Sequence, residues 1–255
     1  MILAIIQARV SSSRLPGKVQ KYILGKPMIL HEIERLRKSK YIDQTVLATS
    51  REKSDDTLMG LCQENAIELF RGSLDDVLDR YYQCASLYQP EHIVRITGDC
   101  PLLDWNVVDA VIRKHLTEKN DYTSNTLQVS YPDGLDVEVM RYDALEKAWN
   151  EAELPSEREH VTQYLIKHPE FFKQGNLRYR QDLSVLRWTV DEPEDFQFVT
   201  KVYEALYREN AEFTMQDVLD LLNNQPELLK INNDFERNEG LLKSFREDKD
   251  WKGED

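Results

Sequence analysis

The stretch Met1–Lys18, MILAIIQARVSSSRLPGK, decides how the rest of the chain is read. Leu3 to Ile6 is an unbroken apolar run that includes two β-branched residues. Such a run reads as a strand buried on both faces. It gives way abruptly to a polar segment carrying Arg9, Ser11, Ser12, Ser13, Arg14 and Lys18, in which Pro16 and Gly17 impose an irregular backbone. These cations and hydroxyls, on a loop leaving a buried strand, suit several phosphate oxygens. Arginine grips phosphate as a planar fork, lysine as a point charge, and backbone N–H groups complete the set. A solvated basic loop is the competing reading. The carboxyl end of a first strand is where open parallel sheets bind ligands, which favours phosphate.

Outward from this stretch, strands and helices alternate. Pro27 suits a first helical position, with Ile29, Ile33 and Leu36 on one face and Glu34 and Lys38 paired on the other. Gln44 to Ser50 reads as a strand, Ser54 as the cap of a helix burying Leu58, Leu61 and Cys62, and IELFRG, ending at Gly72, as a short strand. Asp75 and Asp76 open a helix striped with Val77, Tyr81, Cys84, Ala85 and Tyr88. His92 to Ile96 is a strand, and a helix carrying Val108, Val111, Ile112 and Leu116 follows. This alternation predicts an α/β fold with a mainly parallel sheet and helices on both faces. After Asp121 the pattern breaks into extended segments around a turn at Pro132 to Gly134. Helical segments at Tyr142 to Ala152 and Pro155 to Lys167 come next, then a strand at Val185 to Val190. Residues 121–185 read as an insertion within one domain spanning 1–231. Pro193 starts a helix with Phe196, Val199, Tyr203 and Leu206 inward, and Thr214 with Asp217 forms a capping box. The remaining 232–255 reads as a polar tail, loosely packed through Leu241, Leu242 and Phe245.

Composition narrows the function classes. A net charge of −13 argues against binding nucleic acid or an anionic membrane surface, while leaving room for a nucleotide gripped by local cations. Three cysteines, Cys62, Cys84 and Cys100, have no metal-type spacing and fit reduced thiols; with no targeting or membrane-spanning segment, a cytoplasmic protein is expected. No G-x-G-x-x-G follows the first strand and no G-x-x-x-x-G-K-[ST] occurs, which excludes a dinucleotide fold and a P-loop ATPase.

AIIQARVSSSRLPGK followed by GKPMILHEIERL resembles the opening of the nucleotide-sugar cytidylyltransferases. RITGDCPLLD, YPDGLDVEV, REHVTQYL and RWTVDEPEDF extend the likeness over roughly residues 1 to 230. Within that group the chain is most similar to the spore-coat-polysaccharide (SpsF-type) branch, with the synthetases acting on 3-deoxy-octulosonate and acylneuraminate as more distant relatives. The resemblance implies a nucleotide-diphospho-sugar transferase (GT-A-like) fold with an insertion that covers the acceptor and contributes to a homodimer. The alternating Leu135, Val137 and Val139 offer an apolar face for that contact, with no obvious partner in the parallel sheet. It further implies metal-dependent transfer of CMP from CTP to a sugar or sugar acid for surface polysaccharide or glycoconjugate.

Candidate residues follow. Asp99 directly follows a buried strand, and Asp191 the predicted strand Val185 to Val190; each is either a cap or a carboxylate poised to hold a divalent cation against phosphates. Mg²⁺ needs few acidic residues when phosphate oxygens and waters complete its shell. Their match to the family's metal aspartates implies the second role. Arg9, Ser11, Arg14 and Lys18 are the triphosphate grip, Arg14 and Lys18 being counted with the two aspartates as catalytic. Gln7, Ala8, Thr49 and Ser50 at strand ends are candidates for reading the base, against plain turn chemistry. Gly72 and Asp76 resemble the family's ribose-side segment, and Thr97 and Gly98 join the nucleotide set. Asp133, Asp136, Glu138 and His160 are candidates for the acceptor; the wet face of an edge strand, or for His160 the insertion's own backbone, is the alternative. Arg158 and Arg187 equally suit an acidic acceptor or a salt bridge across the insertion. Two rival functions stand beside this one. A glycosyltransferase on the same fold would carry an Asp-x-Asp motif, which does not follow the HIVRI strand. A catalytically silent nucleotide-sugar-binding subunit would not need Arg14, Lys18, Asp99 and Asp191 intact.

Overall fold

Strand β1 (Ile2–Gln7) runs through the middle of the sheet, as its apolar run requires. Successive strand side chains point to opposite faces. Ala4 and Ile6 therefore enter one core and Leu3 and Ile5 the other, all four fully buried. The computed structural model describes residues 1–12, 14–233, 235, 237 and 239–251; Ser13 of the first loop lies outside them. A hairpin of β2 (Tyr22–Ile23) and β3 (Lys26–Pro27) leads into α1 (Met28–Leu36). Strand β4 (Gln44–Ser50) returns parallel to β1, with Ile5 opposite Val46. Helix α2 (Asp56–Glu64) precedes β5 (Glu68–Gly72), parallel to β4. Helix α3 (Val77–Tyr88) precedes β6 (His92–Thr97), parallel to β1 on its other side. Helix α4 (Trp105–Glu118) completes the regular alternation.

The sheet then changes sense. Strand β7 (Tyr122–Ser124) pairs antiparallel with β8 (Glu138–Arg141), and β8 inserts antiparallel beside β6. Helices α5 (Tyr142–Glu151), α6 (Pro155–Glu159) and α7 (Gln163–Lys167) lead to β9 (Gln174–Asn176), parallel to β7. The order β5-β4-β1-β6-β8-β7-β9 is mainly parallel, with β8 alone reversed. Helices α8 (Pro193–Leu206), α9 (Met215–Asn224) and α10 (Glu239–Glu247) finish the described chain. Ile33, Val108, Val199 and Val218 cover one sheet face and Tyr81, Cys84 and Leu145 the other, so helices lie on both faces as expected. All three cysteines are buried and free, and among the described residues no helix is long and apolar enough to cross a membrane.

Several local expectations give way. Val185 to Val190 is not a strand: only an isolated bridge joins Arg187 to Asp133, although Trp188 and Val190 are buried. The alternation there reports burial without a neighbouring strand to pair with. Gly134, at φ +105°, lies so close that a Cβ would stand 2.5 Å from the Thr189 nitrogen, so only glycine fits at this crossing. Leu135, Val137 and Val139 are at most 1 % exposed, packed into this chain's own core, so they are not an unpartnered face. Pro27 caps α1 rather than entering it, Ser54 lies in the 3₁₀ turn Lys53–Asp55 before α2, and Glu34 pairs with Lys26 while Lys38 pairs with Glu212. The helix expected over Pro155 to Lys167 breaks after Glu159, where Val161 adopts φ +59°. Within the described part of the tail, α10 docks against α6 through Ser244, as does Asp248 just after it.

Candidate active site

A cleft of about 880 Å³ opens at the carboxyl ends of β1 and β6. Its centre is Lys18, which follows Gly17 (φ +68°) into a 3₁₀ turn and is 8 % exposed. The Lys18 ammonium donates to Asp99 Oδ2 at 2.9 Å, Asp191 Oδ1 at 2.8 Å and the Val190 carbonyl at 2.9 Å. Burial disfavours its charge, but the two carboxylates outweigh burial and its pKa rises. Asp99 is likewise opposed by burial, yet Lys18 draws its pKa down to about 2. Arg14 reaches Asp191 at 3.0 Å and Glu192 at 3.3 Å. The loop and the two aspartates thus meet at one point.

Neither aspartate acts as a helix cap. Glu192 caps α8 in a box with Asp195, and Asp195 also accepts from the Asp191 N–H at 3.0 Å, which fixes that backbone. Arg187 forks onto Asp195 at 2.9 and 3.0 Å and extends to Asp133 and Asp191, each at 3.3 Å. Arg187 and Arg158 both make salt bridges. Arg158 donates to Asp76 at 3.0 Å, tying the insertion to α3. Gly98 lets the chain cross β1 closely: its N–H donates to the Gln7 carbonyl at 2.7 Å, and a Cβ would stand 2.9 Å from that of Ala8.

Of the residues singled out from sequence, Gln7, Ala8, Arg9, Arg14, Lys18, Thr97, Gly98, Asp99, Asp133, Asp136, Glu138, His160 and Asp191 line this cleft. Ser11, Thr49, Ser50, Gly72 and Asp76 do not. Thr49 and Ser50 are fully buried and donate their hydroxyls to Asp55. Gly72 lies against the Arg80 side chain, and Asp76 caps α3 through the Asp79 N–H at 2.8 Å. Thr49, Ser50, Gly72 and Asp76 are thus engaged in local contacts. Cys100 packs beneath the loop, its thiol pushed up by burial and by Asp99.

Sequence reasoning missed three residues. Asp55, fully buried, accepts from the Val10 N–H at 2.7 Å and so fastens the cation loop to the end of β4. Glu32, on the apolar side of α1, accepts from the Cys100 N–H at 3.1 Å; burial, then Asp99, raises its pKa well above the usual range. Arg95, midway along β6, pairs with Glu138. The signal for Glu32 was a carboxylate between Ile29 and Ile33, where an apolar residue belongs. Asp55 had no comparable signal.

On the insertion side, Glu138 also accepts from Tyr122 Oη at 2.5 Å and Thr162 Oγ1 at 2.6 Å, while Asp136 binds Arg237. Asp133 is pushed up to about 7 from 3.8, by burial and then by Asp136, against the pull of Arg237 and Arg187. Its folded-state pKa lies above the unfolded one, so the fold gains from it at low pH and loses that gain as pH rises from 3.8 toward about 7. Thermal unfolding across that window should show Asp133→Asn gaining on the native chain as pH increases. A constant difference would remove Asp133 as the titrating group.

A mainly parallel sheet with a cation-bearing loop after its central strand, and carboxylates converging there, suits a nucleotidyltransferase. The chain belongs to the cytidylyltransferase family, whose model matches residues 3–241. It is 35% identical over 248 residues to an uncharacterised protein of Methanocaldococcus jannaschii, covering 96% of this chain and 98% of that one. It is 31% identical over 241 residues to the spore coat polysaccharide biosynthesis protein SpsF of Bacillus subtilis, covering 89% and 95%. The structure of a cytidylyltransferase from Leptospira borgpetersenii matches with a TM-score of 0.86 at 31% identity, covering 92% and 99%. The family implied by the loop and DGLDVEV motifs is the one found.

Proposed function

We propose that this chain transfers CMP from CTP to a hydroxyl of a sugar or sugar acid, releasing pyrophosphate and activating the monomer for a surface polysaccharide or glycoconjugate. The observation that carries the reading is the convergence of Lys18 and Arg14 with Asp99 and Asp191 in one cleft. Such a transfer needs no protein nucleophile, only in-line placement of the acceptor oxygen and offset of charge on the α-phosphate. Arg9, Arg14 and Lys18 would grip the triphosphate.

Two carboxylates within 2.9 Å of one ammonium address the same small volume, and Mg²⁺ takes one or two carboxylates plus phosphate oxygens and water. That donor set fits, so Asp99 and Asp191 would hold the metal. Bound there, it would neutralise charge developing on the transferred phosphoryl group. Asp133, Asp136, Glu138 and His160 would orient acceptor hydroxyls. We further propose a cytoplasmic homodimer; since Leu135, Val137 and Val139 are spent in the core, its contact would use other residues of the insertion, and light scattering at micromolar concentration tests it.

Pyrophosphate release with each of the four NTPs, against acidic and amino sugars, tests the function. Release with CTP alone, dependent on Mg²⁺, is the expected result. Glycosyl transfer from a nucleotide sugar, or nucleotide-sugar binding without turnover, would favour the rival readings. Arg14→Ala should weaken CTP binding by roughly 1.5–3 kcal/mol, the range for hydrogen bonds to charged groups. Calorimetry showing unchanged affinity in a folded Arg14→Ala protein would remove the loop as the phosphate site.

A further inference from the structure

The matched family region ends at residue 241, yet Lys243, Ser244 and Glu247 of α10 line the same cleft as Arg14 and Asp99. This helix is fastened at two points along one face. Ser244, 2 % exposed, donates to Glu159 Oε2 at 2.6 Å and lies 2.9 Å from His160 Nε2. One turn later, Asp248 accepts from the Ser156 N–H at 2.9 Å and from its Oγ at 2.6 Å. Asp248 follows the last residue of α10 and its N–H still bonds the Ser244 carbonyl, so both fasteners hold this end of the helix to α6.

The corner they grip is constrained from the other side as well. Val161 takes a left-handed conformation that a β-branched residue adopts only under outside restraint. Thr162 then donates to Glu138, which pairs with Arg95 on β6. A hydrogen-bonded line therefore runs from α10 through the corner between α6 and α7 to the sheet. With the Ser244 hydroxyl proton directed to Glu159, the His160 tautomer that carries Nε2–H donates to Ser244. In the neutral ring this leaves Nδ1 as an acceptor, on a residue that lines the cleft.

We propose that α10 is a specificity-determining wall of the acceptor subsite, with Ser244 as the positioning residue that sets Glu159 and His160 for hydrogen bonds to a polyhydroxylated acceptor. The inference rests on the cytidylyltransferase reading and adds an element lying largely beyond the family match. It assigns discrimination among acceptors to α10, and nucleotide binding to the loop after β1.

The test compares the full chain with Ser244→Ala, with Asp248→Ala, and with a chain ending at residue 238, which keeps Arg237 beside Asp136. The acceptor that turns over in the panel above serves as the probe. CTP affinity should hold in all of them. Acceptor KM should rise about three- to tenfold in Ser244→Ala, the loss of one ordinary hydrogen bond, with kcat nearly unchanged. It should rise further in the shortened chain, which should also accept panel members the full chain rejects. Asp248→Ala should raise acceptor KM too, although Asp248 does not line the cleft; it and Ser244→Ala decide the matter if the shortened chain does not fold. Unchanged acceptor KM and an unchanged order of acceptors would overturn the inference while leaving the enzyme's activity intact. A parallel loss of CTP affinity, acceptor affinity and melting temperature would also overturn it, since that marks general support. No turnover by the full chain with any NTP and acceptor would overturn the cytidylyltransferase reading itself, and this inference with it.

Discussion

Asp99→Asn and Asp191→Asn should each reduce pyrophosphate release to background while leaving metal-free CTP binding at least as tight as in the native chain. Arg14 and Lys18 remain in both variants, and removing a neighbouring negative charge favours a bound triphosphate. Combining the substitutions should cost little more than either alone, because groups that act as a unit fail together. If either aspartate served only as a helix cap, asparagine would substitute well and activity would survive. The cap of α8 is Glu192, which already argues against that role for Asp191. Steady-state rates with saturating CTP and Mg²⁺, beside calorimetric CTP affinity, make the measurement. Turnover near the native level in Asp191→Asn would end the metal assignment.

Lys18→Met should destabilise the fold substantially. The Asp99 and Asp191 side chains are only 25% and 20% exposed, and the ammonium joining them is the nearest compensating charge. Removing one member of a buried ion pair typically costs about 3–5 kcal/mol, and the partial exposure here points to the lower end. A divalent cation would compensate the same two carboxylates. Mg²⁺ should therefore raise the melting temperature of Lys18→Met more than that of the native chain, and Lys18→Met combined with Asp191→Asn should recover part of the lost stability. Equal Mg²⁺ shifts in both proteins would show that the carboxylates do not share a cation, whatever the size of the stability loss.

The first loop was legible because its chemistry is local: cations, a proline and a glycine at the end of a buried strand restrict the possibilities before any packing is considered. The insertion side of the cleft was legible only in outline. Asp133, Asp136, Glu138 and His160 line the cleft, but Arg95 and Ser244, which hold the last two, come from elements distant in sequence. Thr49 and Ser50 show the opposite failure. They stand at the carboxyl end of β4, where ligand contacts gather, and Asp55 from the following turn claims both hydroxyls.

By itself the amino-acid sequence determined the α/β class, the central place of β1, the order of the regular βα units, the cation loop and the family. Each of these follows from periodicity, from residue type at a strand end, or from contiguous motifs. Tertiary structure alone decided that Val185 to Val190 pairs with no strand, that β8 enters the sheet reversed beside β6, that α10 walls the cleft, and that Lys18 bridges Asp99 and Asp191. The physical reason is that hydrophobic alternation records whether a side chain is buried, not what it is buried against. A carboxylate's role, likewise, is set by the charges that the fold brings within a few ångströms of it.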